Sequence, residues 1–209
     1  LLYGVSARRP RSTLFPSTTL FRSLGGGRQA MRVAVPLAAS VWAYDTVLKP
    51  TPAGPVAMAA CRTLDVLLGA GGEPRLAATA AAAVGVHTLG VTALSTGEVH
   101  GANPATARAA LATSCAATTL ALTGPARGGW HRAASMAAGS GYAGLVGKAQ
   151  ADAVRDPSAK SVRSATKSGI HGMVPLQAAV TAKGSVLGAA LVAAALPIAR
   201  KLSRKVSPT

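Results

Sequence analysis

The chain has 209 residues, 49% hydrophobic, 13% charged and 3% aromatic, and its 22 Lys and Arg against 6 Asp and Glu give a net charge of +16. Soluble domains carry about a quarter charged residues, so this composition argues against an ordinary water-soluble globular domain. The basic residues fall between apolar runs rather than along one face, with no aromatic platform or zinc pattern beside them. Nucleic acid is therefore not expected as a partner, and the charge is assigned to loops that orient a membrane protein.

The first 23 residues stand apart: Leu1–Ser23 holds four Arg, no acid and no usable periodicity. Thr13–Ser23 (TLFPSTTLFRS) reads like a translated sequencing adapter. The natural chain is therefore expected to begin near Leu24 and to lack an upstream part. A transit peptide is the competing reading, because the segment is Arg- and Ser-rich. On this reading residues 1–23 are non-native and residues 24–209 form one helical membrane domain.

Apolar runs then alternate with short breaks. Ala30–Tyr44 ends at a Lys49-Pro50 turn and Val56–Ala70 at Gly71–Arg75. Leu76–Leu94 ends at the polar stretch Ser95–Pro104, and Ala105–Leu122 at Gly124–Arg132. Ala133–Ala151 leads into Arg155–Lys167, expected to be the most charged loop, with Arg155, Lys160, Arg163 and Lys167. Gly169–Ala182 and Val186–Ala199 follow, and a basic tail closes the chain.

A membrane-crossing helix needs roughly 17–25 residues. Seven helical segments are expected, six of them spans. Gly169–Ala182, with His171, Pro175 and Gln177, is expected to be re-entrant or interfacial. The fold class is all-α, a polytopic transmembrane helical bundle. Strict alternation places the Lys49 turn, Ser95–Pro104 and Arg155–Lys167 on one side, cytoplasmic by the excess of Lys and Arg in those loops.

Few residues carry chemistry. Arg62 and Asp65 lie inside an apolar run, where charge is costly and usually faces the protein interior or a water-filled cavity. Three residues apart, they share a helix face and are expected to pair. His87 and His171, within apolar runs, are expected to be packing groups. Cys61 and Cys115 are expected to be small buried hydrophobes. Gly25–Gly27 lacks the Lys-Ser/Thr of a phosphate loop, and no Ser/His/Asp or Cys/His arrangement supports a hydrolase.

The order of these features resembles a known family. Tyr44, Lys49, a Pro-containing turn and a helix with a polar residue before Leu67-Leu68-Gly69 resemble the fourth-to-fifth helix region of the UbiA family of membrane prenyltransferases. The resemblance continues through HTLGVTALSTGEVHG (residues 87–101) and SGIHGMVPLQAA (168–179), and covers roughly Gly25 to Thr209. It implies a partial nine-helix ring around a cavity in the membrane. It also implies transfer of a prenyl group from a prenyl diphosphate to a small lipophilic or aromatic acceptor, with Mg²⁺ held by two Asp-rich motifs.

The first of those motifs would lie upstream of Gly25. The second falls at Ser95–Asn103, where Glu98 is the one acid and His100 and Asn103 stand close by. The resemblance places Lys49 near the diphosphate, Glu98 on the metal, and Tyr44, Arg62, Asp65 and Asn103 against substrate. Two other readings accompany it. One is a non-catalytic relative that binds or carries a lipophilic intermediate. The other is an ion-coupled transporter, which would need acids at mid-helix, where Asp65 alone fits.

Overall fold

A computed structural model describes residues 27–70 and 74–206. The reading of Leu1–Ser23 therefore falls outside the described residues. The described chain is all-α, seven helical rods with no strand among them. Helix α1 spans Gly27–Ala43 and continues through a π-helical turn, Tyr44–Leu48. Helices α2 (Gly54–Gly69), α3 (Pro74–Ser95) and α4 (Pro104–Leu122) follow. The fifth rod is α5 (Gly129–Tyr142), a second π-helical turn (Ala143–Gly147) and α6 (Lys148–Arg155). Helices α7 (Ala159–Ala182) and α8 (Val186–Val206) complete the bundle.

Proline marks where several of these helices begin. Pro55, Pro74 and Pro104 stand in the first turns of α2, α3 and α4, where a missing N–H costs nothing and the fixed φ suits the helix. Asn103 caps α4, its Oδ1 accepting the Ala105 N–H at 2.8 Å.

The turns gather into two ends. At one, the Ala102 N–H donates to the Pro157 carbonyl at 3.0 Å, and Arg163 Nη1 donates to the Glu98 carbonyl at 2.6 Å. Gly101 has φ +89°, and a Cβ there would come within 2.8 Å of the Pro157 oxygen, so this close approach requires glycine. At the other end Lys183 Nζ donates to the Thr123 carbonyl at 2.7 Å, and Arg132 reaches the Leu122 and Gly124 carbonyls at 3.0 Å. Burial first, then the neighbouring Arg132 charge, hold the Lys183 ammonium below the usual lysine range. The α3–α4 and α6–α7 turns thus share one end, as alternation along the chain requires.

The interior is built largely of alanine. Ala83, Ala117, Ala121 and Ala179 are fully buried with Tyr142, Val146 and Leu176 in one cluster. A second cluster joins Leu94, Ala107, Ala110, Ala153, Val162 and Ala165. Small side chains let the backbones close in: a Cβ on Gly172 would collide with Val146, and one on Gly169 would sit 2.5 Å from Val91 Cγ2. Beside the buried Tyr142, Leu94, Leu176, Val146 and Val162, many larger apolar side chains face outward. Trp42, Trp130, Val35, Val99, Ile170, Leu187 and Leu191 are all exposed.

Several expectations change. The charged loop Arg155–Lys167 shrinks to a three-residue turn, because helix begins at Ala159 and Lys160, Arg163 and Lys167 ride on one face of α7 at 3–4 residue spacing. Gly169–Ala182, expected to be re-entrant or interfacial, is the second half of that helix, which at 24 residues has the greatest α-helical length among the described residues. Arg62 and Asp65 form no ion pair; among the described residues the ion pairs are Lys148–Asp152 and Arg155–Asp152. Cys61 is buried, but Cys115 is exposed. Among the described residues one stretch, Ala77–Ser95 in α3, is long and apolar enough to cross a membrane.

Candidate functional site

Among the described residues, helix α1 and its π-helical turn pack against α2 alone. Between the two helices lies a cavity of about 690 Å³, open along one side. Leu37, Val41 and Met58 give it apolar walls and Trp42 stands at its margin. Its polar lining is Tyr44, Asp45, Arg62 and Asp65. The local sequence explains the placement. Arg62 and Asp65 share a face of α2, and the widened turn Tyr44–Leu48 brings two consecutive residues, Tyr44 and Asp45, to the same hollow.

The structure therefore brings together three of the residues singled out from sequence: Tyr44, Arg62 and Asp65. It adds Asp45, which sequence reading passed over. The available signal was its position between Tyr44 and Lys49, one of only six acids in the chain. Arg62 has neither carboxylate within ion-pair distance, so its planar fork of N–H donors is open to a phosphate or carboxylate.

Lys49, Glu98 and Asn103 lie outside the cavity lining. Lys49 is exposed, and its backbone N–H closes the π-helical turn on the Tyr44 carbonyl at 3.0 Å. Glu98 is half-buried in the turn after α3, where its carbonyl anchors Arg163. Asn103 Oδ1 is committed to capping α4. Among the described residues no three His, Cys, Asp or Glu gather. The Glu98 turn thus offers one carboxylate. That donor set suits a magnesium ion delivered with its own phosphate and water ligands, and does not suit one caged by protein.

His87 behaves as a packing group. Its Nε2 lies 3.1 Å from the Gly169 carbonyl and its Nδ1 2.8 Å from the Tyr142 hydroxyl. A carbonyl only accepts, so Nε2 carries the proton and the Tyr142 O–H donates to Nδ1. Both ring nitrogens are satisfied and the side chain is buried, which ties α3 to α5 and α7 and leaves no face for substrate.

No family model matches the chain, and no curated protein or solved structure does either.

Proposed function

We propose that the chain is an integral-membrane prenyltransferase of the UbiA type, a multi-pass helical protein whose Lys49 and Glu98 turns face the cytoplasm. It transfers a prenyl group from an isoprenoid diphosphate to a small lipophilic or aromatic acceptor. The observation that carries this reading is the cavity between α1 and α2, with apolar walls for a hydrocarbon chain and an unpaired Arg62 beside Tyr44, Asp45 and Asp65. Membrane embedding draws support from the distribution of apolar size. Alanine makes up most of the buried apolar positions, and among the described residues thirteen large apolar side chains are exposed. Lipid-facing surfaces carry large apolar groups, while small residues mediate helix contact in the bilayer.

In the reaction the allylic C–O bond breaks and diphosphate leaves with the electron pair. The carbon bonds to the acceptor, which loses a proton to solvent or a carboxylate. Arg62 and, from the turn beyond it, Lys49 offset the charge growing on diphosphate. Asp65 and Tyr44 hydrogen-bond and orient the acceptor. Glu98, in the turn after α3 and outside the cavity lining, would be the protein ligand of a magnesium ion brought in by the diphosphate, and that ion would add further neutralisation. Purified protein in detergent, given farnesyl diphosphate, MgCl₂ and a lipid extract as acceptor, should release diphosphate. Arg62→Ala should lower that rate at least tenfold, a loss of about 1.4 kcal/mol of transition-state stabilisation. Release at an unchanged rate would remove Arg62 from the site.

One observation favours a second reading, a non-catalytic carrier of a lipophilic intermediate. Asn103, expected against substrate, is spent on capping α4, and Glu98 is the lone acid of that turn. A protein that binds farnesyl diphosphate but releases no diphosphate with any acceptor would be the carrier.

A further inference from the structure

A second cavity, of about 490 Å³, lies far along the chain from the first, between the fifth rod and α7. Lys148 and Asp152 line it from α6, Lys160, Ser164 and Ser168 from α7, and Leu145 from the π-helical turn. We propose that this groove is a binding site for the phosphate headgroup of an anionic phospholipid. The inference rests on the membrane reading above but not on prenyl transfer.

Three features of the groove carry it. The first is charge. Asp152, its one acid, is already engaged by Lys148 at 3.0 Å and by Arg155 at 3.5 Å, while Lys160 has no ion-pair partner. The lining is left with a net positive charge, and Lys160 forms no ion pair, although the nearby Asp156 carboxylate feels its charge. The second is hydrogen bonding. Serine and threonine hydroxyls in these helices commonly donate to a carbonyl three or four residues back, as Thr88, Thr113, Thr118 and Thr119 do. Ser164 and Ser168 make no such bond, which leaves one hydroxyl donor a single turn below Lys160 and a second a turn further in, beyond reach of the same phosphate.

The third is the gradient along the groove. Lys160 lies in the first turn of α7, beside the turn at Asp156–Ser158, and Ser168 lies about 12 Å further down the helix at 1.5 Å per residue. Leu145 lies deeper on the fifth rod, three residues before Lys148 and seven before Asp152. Charge at the end of the bundle and an apolar floor further in match a phospholipid, whose phosphate rests at the interface and whose acyl chain runs inward. Basic residues are attracted to an anionic leaflet, and the hydroxyl near Lys160 adds direction to that attraction.

Native mass spectrometry of the full chain in detergent tests this with dioleoyl phosphatidylglycerol and phosphatidylcholine as probes. The wild type should retain one phosphatidylglycerol with at least tenfold preference over phosphatidylcholine. Lys160→Glu, and separately Ser164→Ala combined with Ser168→Ala, should abolish that preference with helical content unchanged. Arg108→Glu, an exposed charge near the same end of α4, should keep it. Equal loss in Arg108→Glu, or no preference in the wild type, would overturn the proposal in favour of diffuse attraction. Displacement of the lipid by millimolar inorganic phosphate would overturn the lipid assignment in favour of a free phosphate. Recovery of the chain in the soluble fraction without detergent would instead refute the membrane reading.

Discussion

The two halves of the molecule treat polar groups in opposite ways. In the core formed by α3 to α7, His87 is shut away from solvent with both ring nitrogens bonded. In the limb formed by α1 and α2, Arg62, Asp65 and Asp45 line an open cavity with no ion pair among them. Among the described residues, helix α7 packs against α3, α4, α5, α6 and α8, while α1 has α2 alone. A satisfied group in a crowded interior holds helices together. An unsatisfied charge beside an apolar hollow contributes nothing to the fold and is free to meet a ligand. The location of each polar residue, rather than its type, therefore separates structural from functional candidates.

The sharpest way to break this contrast is to remove Tyr142. It is fully buried, donates to His87 and packs edge-on to it at a centroid separation of 5.3 Å. Tyr142→Ala should destabilise the protein by about 3–5 kcal/mol, read as loss of helical signal at a lower denaturant concentration. Gly172→Ala, which drives a methyl into Val146, should cost about 1–3 kcal/mol by the same measurement. Wild-type stability in either variant would mean that α5 and α7 are not packed as described.

Gln150 tests the core from the other direction. It is fully buried, and neither of its amide atoms has a partner. Leaving such groups unpaired costs about 1–3 kcal/mol, so Gln150→Met, close to it in volume, should raise the melting temperature. A fall would reveal a partner for the amide, such as a buried water. In the limb, Arg62→Ala should shift stability by no more than about 0.5 kcal/mol while lowering prenyl-diphosphate binding tenfold. Equal losses of stability and binding would make Arg62 a structural residue and erase the distinction between the two regions.

The smallest effect concerns the turn at Asp156. Ser161 and Ser158 hydrogen-bond its carboxylate and hold it below the usual carboxylate range. A carboxylate with a depressed folded-state pKa adds stability that is fully present above its ordinary value and is lost as pH falls through the lowered one. Asp156→Asn should therefore melt slightly below wild type at pH 7, and the two curves should converge as pH falls below the ordinary carboxylate range. A gap that persists at low pH would assign the effect to something other than ionisation.

The all-α class and most helix limits were readable because apolar runs, Pro at helix starts and Gly at breaks are local signals. Asn103 before Pro104 marks a helix start within a few residues of sequence. The beginning of α7 was missed because Lys160, Arg163 and Lys167 read as loop composition, although their 3–4 spacing already described a solvated helical face. The Arg62–Asp65 pairing failed for a different reason. Spacing shows that two residues share a face, but not whether their side chains turn toward each other or toward a hollow. Asp45 was hidden because its approach to Arg62 and Asp65 depends on the π-helical turn and on how α1 folds back onto α2, which no single segment reveals. The His87–Tyr142 contact, 55 residues apart in sequence, was equally beyond local reading.

The most direct test of the account asks what the α1–α2 cavity holds. Purified protein would be irradiated with a diazirine-bearing farnesyl diphosphate analogue, digested, and its labelled peptides identified by mass spectrometry. The account predicts adducts confined to the peptides that carry Leu37–Asp45 and Met58–Asp65, competed away by unlabelled farnesyl diphosphate and reduced about tenfold in Arg62→Ala, in keeping with about 1.4 kcal/mol of lost binding. Adducts spread over the α3–α7 helices, or labelling indifferent to competitor and to Arg62, would contradict it.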